Sequence, residues 1–164
     1  MRRALALAIV VAASLALLAP AIATASDESV YDAYVSRDSD FARLGKQFKR
    51  DVKRWRDSGF KRRRAVLKDI PKIRKLISTV SRAIKAEPPS SDNGKLAKSA
   101  ALASMKYLDG SLASVGKGIR ALASGHRKRA RRYAGRAERL QSRSLKAEKN
   151  ARKYFRAAGV QIKP

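Results

Sequence analysis

Nine basic residues near the C-terminus recur every three or four positions: Arg129, Arg132, Arg136, Arg139, Arg143, Lys146, Lys149, Lys153 and Arg156. Residues three and four apart share one face of a helix, so this spacing predicts a single cationic stripe beside an apolar seam. At about 1.5 Å of rise per residue, it extends roughly 40 Å. Only Glu138 and Glu148 interrupt the positive charge there. Neighbouring cations at that spacing repel by about 0.2–0.5 kcal/mol per pair, a cost that solubility alone does not require. The chemistry expected of the stripe is electrostatic capture of a polyanion. The competing reading is a solvated face whose long stems cover a thin core.

A second basic set, Arg43, Lys46, Lys49, Arg50, Lys53 and Arg54, precedes a run of four cations, Lys61-Arg62-Arg63-Arg64. Over the whole chain of 164 residues, 39 Lys or Arg face 13 Asp or Glu, a formal charge of +26. The imbalance is global, which favours polyanion contact over a mixed-sign solvated surface. Aromatic residues sit among the cations in Arg54-Trp55-Arg56, Arg132-Tyr133 and Lys153-Tyr154-Phe155-Arg156, where they could stack on nucleic-acid bases. Trp55, Tyr133 and Tyr154 also fall on apolar seams, so they are expected in the core. Nucleic-acid binding, if it occurs, is expected to be nonspecific, since no recognition module accompanies the basic stretches.

Groups for catalysis are sparse. The one histidine, His126, lies at a turn among cations that repel a metal ion. Asp51, Asp57, Asp69 and Asp109 show no paired spacing of a two-carboxylate site, and Met105 falls on a core seam. There is no Cys, and no G-x-S-x-G, H-E-x-x-H or glycine-rich phosphate loop. No enzyme activity, cofactor, metal or small-molecule substrate is expected.

The elements that must carry the stripe follow from apolar spacing. Val66, Ile70, Ile73, Ile77, Val80 and Ile84 step by four and three, as do Ala101, Met105, Leu108, Leu112, Val115, Ile119 and Leu122. Ahead of them Val30, Tyr34, Phe41, Leu44, Phe48, Val52 and Trp55 fit a helix face. After them Ala130, Tyr133, Ala137, Leu140, Ser144, Ala147, Ala151, Tyr154 and Ala158 form a thin, alanine-rich seam. Breakers at Ser58-Gly59, Pro88 to Gly94 and Ser124-Gly125 divide four helices, about 29–57, 60–87, 94–124 and 126–158. Polar residues 36–40 leave a second option, a late first helix preceded by a loose acidic arm. Pro71 either kinks the second helix or starts it afresh behind Asp69; the unbroken seam favours a kink.

Short connections join antiparallel neighbours, and the expected fold is all-α. It is an up-down-up-down four-helix bundle of two long hairpins, forming one domain over 26–164. Association of hairpins between chains, as a homo-oligomer, is the alternative. Ahead of the domain, Arg2 and Arg3, an apolar run from Ala4 to Ala19, Pro20 and Ala23-Thr24-Ala25 have the layout of a secretory signal peptide cleaved after Ala25. An uncleaved membrane anchor is the alternative. The protein is therefore expected to be secreted, periplasmic or envelope-associated. The polyanions available there are anionic lipid headgroups, phosphate- or carboxylate-bearing wall polymers and released DNA. Acidic protein clients, held by a chaperone-like or inhibitory surface, are a further class of partner.

Overall fold

The computed structural model describes residues 27–162; the signal peptide, its cleavage point and the alternative membrane anchor lie outside the described residues. The described chain is all-helical, with α1 at Asp27–Val35, α2 at Asp38–Asp57, α3 at Arg63–Ala86, α4 at Asp92–Ala123 and α5 at Arg127–Ala157. Together they form a helical bundle, and buried side chains of all five helices join one hydrophobic cluster.

The first expected helix is two. Ser36 Oγ donates to the Ala33 carbonyl at 2.9 Å, and Arg37 takes a non-helical conformation from which α2 restarts. A serine side chain that satisfies a backbone acceptor competes with the helix at this point. The acidic segment is not a loose arm, however. Val30, Tyr31 and Tyr34 are buried, and both tyrosine rings pack on Phe155, at centroid distances of 5.0 and 6.2 Å.

The second helix starts at Arg63 rather than at residue 60. Phe60 instead closes the turn: Trp55 Nε1 donates to its carbonyl at 2.9 Å, and the two rings meet edge to face at 5.0 Å. These contacts hold Phe60 at φ 69, directly after Gly59 at φ 62, in the left-handed region that non-glycine residues seldom adopt. α3 then runs unbroken through Pro71 with its six seam residues buried, so the restart behind Asp69 is not used. α4 begins at Asp92, two residues earlier than expected. Its cap is Ser91, whose Oγ accepts from the Gly94 amide at 2.9 Å.

Three sets of contacts tie neighbouring helices together. Gln47 Nε2 donates to Asp69 Oδ1 at 2.7 Å between α2 and α3. The Arg74 guanidinium meets the Asp109 carboxylate at 2.6 and 3.0 Å between α3 and α4. Ser111 Oγ donates to the Ala137 carbonyl at 3.0 Å between α4 and α5. The broadest helix–helix approach is that of α5 on α4, whereas α1 reaches α5 through aromatic side chains at one end.

The α5 seam departs from expectation. Ala130, Ala137, Ser144, Ala147 and Ala151 are buried as predicted, but Gln141 and Phe155 join them, while Tyr133, Leu140, Tyr154 and Ala158 are half-buried. Close helix approach is the reason at Tyr133 and Leu140, which stand against Gly118 and Gly110 of α4. Both are displaced to the edge of the line between the axes, where small side chains fit best. Tyr133 Cβ lies 3.4 Å from where a Cβ on Gly118 would stand, and Leu140 Cδ1 lies 3.2 Å from the same position at Gly110.

Candidate polyanion-binding surfaces

All nine residues of the predicted stripe lie on α5 and all nine are exposed. None forms an ion pair among the described residues. The row is not straight. Its mean step is shorter than the 3.6 residues of a helical turn, so it lags by about half a turn along its length. It starts on one flank of the buried seam at Arg129, crosses the back of α5 near Lys146 and ends towards the opposite flank at Arg156. Arg143 places its guanidinium carbon 6.0 Å from the Tyr107 ring centroid.

The basic set on α2 is exposed as well. Arg43, Lys46, Lys49, Arg50, Lys53 and Arg56 line a shallow groove of about 620 Å³ with Val52. Arg43 and Arg56 are partly neutralised by Asp40 at 2.8 Å and Asp57 at 3.1 Å. A second groove of about 540 Å³ lies on α5 and is lined by Leu145, Glu148, Lys149, Asn150, Arg152, Lys153 and Arg156.

The aromatic residues beside the cations are poorly placed for stacking. Trp55 is 3% exposed and its indole N–H is committed to Phe60. Tyr133 and Tyr154 are half-buried, partway between core and surface. His126 is exposed at the cap position of α5. Among the described residues, no group of three or more His, Cys, Asp or Glu could hold a metal ion.

Two carboxylate pairs were hidden by sequence distance. Asp69, read as lacking a partner carboxylate, is buried in α3 and meets Asp51 of α2; burial and then the Asp51 carboxylate push it up, against the pull of Lys72. Gln47 donates to its Oδ1. The second pair stands where α1, α2 and α5 meet. Burial pushes Asp38 up to about 7, a shift that Arg152 opposes and Glu148 reinforces. Neither Asp38 carboxylate oxygen has a hydrogen-bond partner among the described residues. Burial also raises Glu148, although Arg152 donates to it at 3.0 Å. Of these four carboxylates, Glu148 lines one of the two grooves and the other three line neither.

At the end of α1, Asp27 is buried but stays low. Burial raises it, and this is outweighed by hydrogen bonds from the Ser91 hydroxyl and from the Ser90 and Ser91 amides. A Cβ at Gly94 would overlap this carboxylate, so the contact needs glycine there. The chain matches no protein-family model, no curated protein and no solved structure, and its surfaces must be read from their own chemistry.

Proposed function

We propose that the protein is exported and that the chain from Ser26 onward acts as one strongly basic helical domain, an up-down-up-down bundle, that binds an anionic envelope surface. The role is one of binding or structure rather than catalysis. The observation that carries this reading is the set of nine exposed α5 cations, none of them ion-paired among the described residues, in a chain of charge +26. Cations without internal partners are available to replace the counterions of a polyanion, and the release of those counterions makes such binding steeply salt-dependent.

Cosedimentation with anionic liposomes and, separately, with purified wall polymer tests it. Retention is expected at low salt and should fall sharply towards physiological salt, with none on zwitterionic liposomes. No retention on either anionic matrix at low salt would remove the reading. Capture of an acidic protein client is the second reading, and the α2 groove favours it, because the alkyl stems of its cations offer apolar as well as charged contact. Nonspecific binding of DNA would rest on phosphate contacts alone, given the burial of Trp55.

A further inference from the structure

Lys and Arg occur along all of the long helices, and the antiparallel order sorts them by height. The α2–α3 turn at 58–62 and the α4–α5 turn at 124–126 lie at the same end of the bundle. The Arg74–Asp109 pair at 2.6 Å sets this register, as does Ile70, whose Cδ1 lies 3.4 Å from the Cβ position of Gly116. Around the two turns, residues 53–68 and 117–132 hold fifteen Lys or Arg against a single acid, Asp57. At the opposite end, residues 27–42, 81–96 and 147–162 hold eight basic and eight acidic residues. One end of the molecule is strongly cationic and the other is close to neutral.

The cations of the basic end are also poorly compensated. Residues 61–64 and 127–129 are exposed, and none of them forms an ion pair among the described residues. α3 and α5 both start there without a side-chain cap hydrogen bond and without an acid in the first turn. At the neutral end α1 starts on Asp27 and Glu28, and α4 has the Ser91 cap with Asp92 behind it. Helix starts favour negative charge. Those at the neutral end have it within the chain, and those at the basic end have only more positive charge around them.

We infer that this end docks head-on against the surface of an anionic bilayer, with the helices standing away from it; the inference rests on the polyanion reading above and narrows its partner to lipid headgroups. The shape of the patch favours a bilayer over a linear polymer. Two hairpin turns form a projecting end, which meets a plane of headgroups, whereas both grooves lie along helix flanks, where an extended polymer would run. The exposed large apolar residues, Leu96 at 48% and Leu145 at 37%, lie away from this end, and no described helix is long and apolar enough to cross a membrane. Contact is therefore electrostatic and peripheral, without insertion.

Two charge-reversal variants of equal charge test it, in the chain from Ser26 onward, whose described helices share one core. One carries Arg63→Glu, Arg64→Glu, Arg127→Glu and Arg131→Glu; the other carries Arg136→Glu, Arg139→Glu, Lys146→Glu and Lys149→Glu. The first places acids in the opening turns of α3 and α5, where they favour the helix, and circular dichroism checks both folds. On vesicles of mixed phosphatidylglycerol and phosphatidylcholine, the end variant should lose at least about tenfold more affinity than the flank variant. Equal losses, or a greater loss in the flank variant, would overturn end-on docking and leave the polyanion reading standing. Wall-polymer binding by the unaltered protein with none to vesicles would overturn the choice of a bilayer. Binding to neither would fail the parent reading.

Discussion

The two faces of α4 are held by different means. On the side away from α5 the core holds Phe41, Phe48, Ile73 and Ile84, all fully buried, in one cluster with Met105 and Leu112 of α4. Towards α5 the buried residues are Ala130, Ala137, Ala147 and Ala151, with Ser104, Ser111, Ser144 and Gln141. The first side is stabilised by apolar area removed from water. The second depends on close approach and on hydrogen bonds between helices: Ser144 Oγ donates to the Ser104 carbonyl at 3.0 Å, and Ser111 Oγ to the Ala137 carbonyl. The most cationic helix thus sits on the thinner seam. Its large apolar anchor is Phe155, clasped by Tyr31 and Tyr34 at the neutral end. The short acidic helix α1 accordingly has a mechanical role, fastening the far end of α5.

The largest effect should come from removing that anchor. Phe155→Ala is expected to lower stability by about 3–5 kcal/mol, the usual range for emptying a buried aromatic site. Hydrogen exchange should show protection falling in α1 and α5 ahead of α2 and α3. A uniform loss across all helices in denaturant and exchange experiments would mean that the two sides of α4 do not differ in this way. Ala137→Leu should rank next, at about 1–3 kcal/mol, because the added volume forces apart helices that are already close. Its thermal melt should shift more than that of Leu112→Met on the opposite face, a swap that keeps volume. A shift no larger than that of Leu112→Met would show that the α4–α5 seam has spare room.

The smallest effect concerns the corner where the two sides meet. Asp38 has an ordinary value of 3.8, raised to about 7 in the folded chain. A raised carboxyl favours the protonated folded form. Its contribution is most favourable below the ordinary value and is lost as pH rises towards about 7, beyond which it is constant. Melting temperatures measured from pH 4 to 8 should therefore fall less steeply in Asp38→Asn than in the unaltered chain. Parallel profiles would show that Asp38 is not held from water as the α1–α2 corner implies.

Much of the helical framework was legible because apolar spacing reports burial directly. The expected seam of α3 is buried throughout and that of α4 except at Leu122, since large aliphatic side chains have no other place to go. α4 also buries Ala97, Ser104, Ser111, Ser114, Gly116 and Ala121, which the seam did not include. The α5 seam was legible only in its alanines. Tyr133 and Leu140 satisfy the same spacing, but helix separation decides whether a large side chain fits on the axis line, and the spacing within one segment carries no record of that distance. The break at Ser36 and Arg37 was visible only as polarity, and a side-chain hydrogen bond from Ser36 to the Ala33 carbonyl stands at it. The row of cations on α5 was readable residue by residue, and its drift across the helix follows from the same arithmetic.

Composition and spacing determined by themselves the sign of the surface, the helical class and the identity of the exposed cations, because charge and amphipathic period are local properties of the chain. The tertiary structure decided which distant groups meet. It brought Asp51 to Asp69, set Asp38 against Glu148 and Arg152, put Phe155 between two tyrosines of α1, and gathered the cations of 53–68 and 117–132 at one end. Each of these depends on the register between packed helices, which is fixed by packing across the whole bundle and not by any segment alone.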